Sequence, residues 1–261
     1  MIACRKKNDP VKPTVPNDGY LIKTATFVSN SPYILSMTFN YNNKYQLTSV
    51  GMGNEKGLYA SNQQHYDEQG RIIYNNGFRG DNITPVSYDS IVWAGQKSMR
   101  YTRWISAGPT VYDTAQYEYN NTGLPIFWSR PIVDLEYIYE NGDLVKRITT
   151  KFAGRDNIFS KSEATFEYDS MPNPFYWLFL HNPYVSELSE RADYFMLPSK
   201  HNITKMSINY LSGGDPAYIT EMLFENKYNA TTHLLEEQTL KYKTLPGDTV
   251  RSSTVFTYIK L

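Results

Sequence analysis

The sequence predicts an all-β protein, built as a large curved antiparallel meander, an open or partly closed barrel-like sheet with one short helical insertion. Two observations carry this. Apolar and aromatic residues alternate with polar ones along most of the chain, the period of two that sends successive side chains to opposite sheet faces. And a strand-closing tyrosine followed by an Asx-rich turn recurs from one end to the other. Tyrosine alone accounts for 23 residues and aromatics for 15% of the chain, a bias toward pleated structure rather than helix.

The clearest unit is Glu136-Tyr-Ile-Tyr-Glu-Asn-Gly-Asp-Leu-Val-Lys-Arg-Ile-Thr-Thr150. Leu135, Tyr137 and Tyr139 alternate with polar neighbours. Asn141-Gly142 tolerates the positive φ of a primed two-residue turn, and Leu144 resumes the alternation. Glu136, Glu140 and Asp143 are expected on the wet face of this hairpin. Looser copies use a longer turn: Tyr41-Asn-Asn-Lys-Tyr-Gln-Leu47, Tyr66-Asp-Glu-Gln-Gly-Arg-Ile72, Tyr119-Asn-Asn-Thr-Gly-Leu-Pro125, Tyr210-Leu-Ser-Gly-Gly-Asp-Pro216 and Tyr228-Asn-Ala-Thr-Thr-His-Leu234. The Asx side chain can bond its own backbone, and Gly70, Gly123 and Gly214 suit a left-handed loop position. Their irregular spacing excludes a solenoid and leaves a meander of about a dozen strands.

Strands are expected from 20–28 onward, ending with 234–243 and 249–260. The pattern breaks at 170–200. There Phe175 to Leu180 forms an apolar cluster, entered through Pro172 and Pro174, that reads as a plug over the sheet. Pro183 then opens the expected helix over 183–195. Residues 19–261 are expected to be a single all-β domain, with residues 1–18 a tail.

The tail begins Met1-Ile-Ala-Cys4, which resembles the end of a bacterial lipobox. Pro10, Pro13 and Pro16 then resemble the extended tether behind an acylated cysteine. Cys4 is therefore the expected lipidation site, on a chain whose usual secretory leader is truncated or misassigned. As the one cysteine, it excludes an internal disulfide. No apolar run reaches the roughly 18–20 residues of a membrane helix. Twenty-six basic and 26 acidic residues cancel, without the basic excess of a nucleic-acid binder.

Tyr168-Asp-Ser-Met-Pro-Asn-Pro-Phe175, beside the lipobox-like cysteine, resembles the uncharacterised Bacteroidetes cell-envelope lipoproteins described as porin-like in fold. These carry Tyr-Asp hairpins akin to YD repeats. The resemblance spans most of residues 20–261 and implies a large curved antiparallel sheet, an outer-membrane lipoprotein location and no known activity. Surface-exported members tend to carry acidic residues after the cysteine. Here Arg5, Lys6 and Lys7 stand there, so the face of the membrane stays open. Four triplets resemble the Asp-Ser/Thr-apolar acceptor of Bacteroidetes O-glycosylation, with Ser90, Thr114, Ser170 and Thr249 as the modified hydroxyls.

No nucleophile elbow, P-loop, metalloprotease helix or calcium loop is present. Gly51-Met-Gly-Asn-Glu-Lys-Gly57 reads as a turn. His65, His181, His201 and His233 lack ligand spacing, so neither metal nor cofactor is expected, and no catalytic residue is assigned. Glu118, Glu136 and Glu167 each precede a strand-closing tyrosine and read as solvated. A glycan hydrolase needs two carboxylates flanking one bond, which sequence does not supply. Phe175, Tyr176, Trp177, Tyr184, Trp104 and Trp128 are the candidate platform for sugar rings, against the alternative that they pack the core or cover a sheet edge. The expected function is a non-catalytic, lipid-anchored envelope protein that binds a glycan or another protein. The alternative is a structural or assembly protein pairing through a sheet edge, and a third reading, ranked below both, is a hydrolase acting on glycans.

Overall fold

The structure is a computed structural model describing residues 19–28, 35–105, 109–153, 157–181, 196–212, 221–243 and 249–261. Cys4, Tyr184 and the expected helix over 183–195 lie outside the described residues, as does the turn after Tyr210.

The strands are β1 Tyr20–Val28, β2 Leu35–Tyr41, β3 Leu47–Asn54, β4 Gly57–Tyr66, β5 Ile72–Arg79, β6 Ser87–Ala94, β7 Lys97–Trp104 and β8 Val111–Tyr119. They continue with β9 Pro125–Arg130, β10 Val133–Glu140, β11 Asp143–Phe152, β12 Ile158–Pro172, β13 His201–Ser212, β14 Glu221–Tyr228, β15 Leu235–Lys243 and β16 Thr249–Lys260. Each pairs antiparallel with its sequence neighbours. β16 returns to β1, from Tyr20↔Lys260 to Val28↔Ser253, so the sheet is a closed barrel. Among the described residues sixteen strands exceed the expected dozen, and closure is complete rather than partial. It abolishes the sheet edges that the edge-pairing reading requires. The described helix, α1 Tyr176–His181, falls in the apolar cluster and not where proline suggested a start.

In an up-and-down barrel every even-to-odd connection lies at one end, and here that end carries the tyrosine turns. Asn42, Asp67, Asn120 and Asn229 accept backbone N–H bonds inside their own loops through Oδ1, at 2.8–3.0 Å. Gly70 and Gly123 take the left-handed position, as do the less suited Tyr45 and His233. The register shifts immediately before Tyr41, Tyr66, Tyr119, Tyr139, Tyr168 and Tyr228, a bulge that re-aims the ring.

Four of the re-aimed hydroxyls, and that of Tyr258, make one repeated bond, whereas Tyr119 meets Ser98 Oγ and Tyr228 donates to Asp169. Tyr41 donates to the Ile22 carbonyl (2.9 Å), Tyr66 to Leu47 (2.6 Å), Tyr139 to Pro125 (2.7 Å), Tyr168 to Leu144 (2.7 Å) and Tyr258 to Leu235 (2.7 Å). Trp93 Nε1 does the same to Ile72 (2.7 Å). Each bond ties the end of an even strand to the start of the odd strand before it, at the open end of that hairpin. The repeated motif is thus a locked two-strand unit. Burial pushes the hydroxyls of Tyr41, Tyr139, Tyr168 and Tyr258 well above the ordinary tyrosine range.

Two apolar clusters fill the interior. One joins β1–β3, β15 and β16 to α1, with Phe175 edge-on to Phe39 (6.1 Å) and Phe256 (5.8 Å). The other lines β8–β15 around Tyr117, Trp128, Tyr137 and Met206. α1 caps the tyrosine end. A Cβ on Gly123 would come 3.4 Å from the Leu180 carbonyl oxygen, and one on Gly142 would come 3.5 Å from the Tyr176 hydroxyl.

Buried Asn173 holds the two ends of the insertion together. Its Nδ2 donates to the Leu197 and Ser199 carbonyls (3.1 and 2.9 Å), and its Oδ1 accepts from Phe175 N (2.9 Å). Asp143 then latches the insertion to the β10–β11 hairpin. It accepts from Ser199 Oγ (2.8 Å), His201 N (2.9 Å) and His201 Nδ1 (2.7 Å). Asp143 is thus no wet-face charge as its hairpin neighbours suggested. It sits at the turn, where the returning chain meets it.

Candidate functional site

Asp143, His201 and Ser199 are the residue types of a hydrolytic triad, but not its wiring. A triad runs hydroxyl to imidazole to carboxylate. Here the Ser199 hydroxyl and the His201 imidazole both donate to the same carboxylate, and Ser199 is fully buried. The cluster is a latch.

The sites expected from sequence are dispersed. Phe175 and Trp177 are buried in the cap, and Tyr176 is half-buried beside Gly142. Trp128 is buried inside the barrel with the Arg130 guanidinium 5.2 Å over its ring. Trp104 is exposed, but at the barrel end opposite the cap. These rings do not share a face. Ser90, Thr114 and Ser170 are exposed, whereas the aspartates before them are engaged. Asp89 is buried and accepts from Asn75 Nδ2 (2.8 Å), Asp113 lies 3.4 Å from Arg130, and Asp169 accepts from Tyr228 and Asn226. Thr249 begins β16.

The outer wall divides into two unlike halves. Over β10–β15 it is a ladder of exposed cross-strand ion pairs: Lys146–Glu163 (3.1 Å), Lys205–Glu221 (2.9 Å), Lys205–Glu167 (3.7 Å) and Lys241–Glu225. Pairs of this kind keep a face solvated and add little stability, since water and salt screen them. On a wall facing hydrocarbon each lysine near the midplane would cost about 2–4 kcal/mol.

From β16 through β1 to β4 the outer face carries hydroxyl and amide side chains. Thr24 bonds Thr257 (2.7 Å), Thr26 bonds Ser36 (2.8 Å) and Asn40 Nδ2 donates to Ser49 (2.9 Å). Over β2–β4 this wall is hollowed into a groove of about 700 Å³. Its floor is Gly51 and Gly53, where a side chain would fill the groove. A Cβ on Gly53 would stand 2.7 Å from the Gly57 carbonyl oxygen, and one on Gly51 would stand 3.2 Å from Leu58 Cδ1. Thr38, Asn40, Ser49, Ser61 and Gln63 present hydroxyls and amides, Leu58 adds an aliphatic wall, and Glu55 is the single carboxylate of the lining. The stretch that reads as a turn in sequence is therefore a hairpin whose glycines floor a groove. The signal was present as small residues at alternate positions 49, 51 and 53, a period of two that puts them on one face.

Such a groove has the size of a small-ligand site. It offers neutral hydrogen-bonding groups and close backbone approach, with no nucleophile–base pair and no carboxylate pair among the described residues of its lining. Fold and groove together define a closed, self-capped antiparallel barrel with a groove on its outer wall.

No protein-family model matches the chain, and no curated protein matches it. Among solved structures it is similar to a porin-like protein from Bacteroides vulgatus, at 9% identity and a TM-score of 0.44, over 92% of this chain and 99% of that one.

Proposed function

We propose that this protein is a non-catalytic binding module of the cell envelope, carried by a lipid on Cys4, whose outer groove takes a neutral glycan. The observation that carries the reading is the groove lining. Uncharged hydroxyls and amides match a polyhydroxylated ligand, and a charged or purely apolar one would leave them unpaired or desolvated. The lone Glu55 supports binding over hydrolysis, which needs two carboxylates across the scissile bond. The charged wall of β10–β15 supports an anchor by acylation rather than by barrel insertion.

Amide chemical-shift mapping with cellotetraose, xylotetraose and mannotetraose tests the binding reading. At least one is expected to shift Gly51, Gly53 and Ser61, and Gly51→Val is expected to abolish the shifts. No response at millimolar concentration, or a response elsewhere on the barrel, would overturn it. For the anchor, the protein expressed in an envelope-bearing host should enter the detergent phase on phase partitioning, and Cys4→Ser should return it to water.

A further inference from the structure

Over β5–β7 the polarity of the wall is inverted. Gln64, Asn75, Asp89 and Thr102 form a row across β4–β7 that faces inward and is nearly inaccessible to solvent. Their alternation partners Tyr74, Tyr88 and Tyr101, with Tyr112 on β8, face outward. Tyr101 is 51% exposed and Tyr112 74%. Burying amides and a carboxylate while turning four tyrosines toward water is the costlier arrangement for an isolated barrel. The opposite arrangement, apolar in and charged out, holds over β10–β15 of the same molecule.

The tyrosines form a zigzag, one per strand on four consecutive strands. Cross-strand pairing places Tyr74, Ser90, Tyr101 and Thr114 in one row and Asn76, Tyr88, Arg103 and Tyr112 in the next. Rings on neighbouring strands approach to 6.3 Å, as Tyr74 and Tyr88 do. Rings in the same row lie two strands apart, about 10 Å, close to the length of a disaccharide unit. Hydroxyl, amide and guanidinium groups alternate with the rings. The second row continues through Asn76 into Gln63 of the groove wall.

We infer that this zigzag is a stacking track for an extended, linear, neutral polysaccharide running across the strands and ending in the β2–β4 groove. The inference rests on the glycan reading of that groove. A π-face stacks on the apolar C–H face of a pyranose ring, and the intervening polar groups meet its equatorial hydroxyls. The absence of acidic side chains from the two rows and the presence of the lone Arg103 suit a neutral chain and oppose a cationic one.

Affinity electrophoresis of the full chain in mixed-linkage β-glucan, xylan and glucomannan is the test, with shift mapping by the tetraoses run in parallel. At least one polymer is expected to retard the protein. Tyr101→Ala and Tyr112→Ala should each weaken that retardation about tenfold, the equivalent of one stacking contact. Tyr101→Phe should restore it, while far-UV dichroism and tetraose mapping stay unchanged. Retardation that is equal in wild type and alanine variants overturns the track and leaves the groove standing. The track is likewise overturned if tetraoses bind but no polymer retards the protein. Tyrosine-dependent retardation without tetraose binding supports the track and removes the groove. If light scattering shows a dimer that Tyr112→Ala dissociates and no polymer binds, the face belongs to a second copy and the inference falls.

Discussion

The Tyr139 hydroxyl donates to the Pro125 carbonyl at 2.7 Å, fastening the end of β10 to the start of β9. The same relationship recurs from Tyr41 to Ile22 and from Tyr168 to Leu144, so one side-chain bond closes successive hairpins around the barrel. The bond needs a long, rigid side chain with a terminal donor, which tyrosine supplies at five of these positions and Trp93 at the sixth.

Tyr139→Phe keeps the ring and removes the donor, leaving a buried carbonyl unsatisfied. The expected cost is about 1–2 kcal/mol, read as a lower urea midpoint at constant slope. Tyr101→Phe, which removes an exposed hydroxyl, should change stability by less than about 0.5 kcal/mol. Equal effects of the two would show that the bond contributes nothing.

Asp143→Ala removes an acceptor shared by Ser199 Oγ, His201 N and His201 Nδ1. About 2–3 kcal/mol of stability should be lost, since charge-assisted bonds are broken and the Ser199 donor stays buried. Amide exchange should quicken first at Phe175–Leu180 and Leu197. Uniform acceleration across all strands would contradict a latch that acts on the cap.

Alkaline pH should unfold the barrel cooperatively. Burial pushes the Tyr117 hydroxyl up to about 12 from the ordinary 10.0, and burial also holds Tyr119 and Tyr139 well above that range. A folded-state pKa above the unfolded one stabilises fully below about pH 10 and loses that contribution as pH rises toward 12 and beyond. The tyrosinate absorbance of these buried rings should therefore rise together with loss of far-UV dichroism. Complete titration of all tyrosines before any structural loss would refute this.

Gly51→Val should abolish glycan binding while costing little stability. The new side chain meets Leu58 Cδ1, the end of a flexible group, and valine suits a strand. Gly53→Ala should instead destabilise, because its Cβ would meet the rigid Gly57 carbonyl oxygen at 2.7 Å. Thermal melts of the two variants check the contrast.

The hairpin unit was legible in the chain alone. Alternation set the strands, Asx residues and glycines set the turns, and the break at 170–200 marked where the meander is interrupted. These are local properties, decided within about ten residues by sterics and by side-chain bonds to nearby backbone. Closure of the barrel was not legible, because pairing Tyr20 with Lys260 spans the whole chain and leaves no periodic trace. Nor was the role of Asp143 as a latch, since its partners lie more than fifty residues away. The aromatic cluster at 175–180 was legible as a plug, but the closed barrel end that it caps was not, because that end is assembled from strands far apart in the chain. The groove and the tyrosine zigzag depend on which face of each strand turns outward. Over β10–β15 the rule of apolar inside predicts that choice, and over β5–β7 the barrel inverts it.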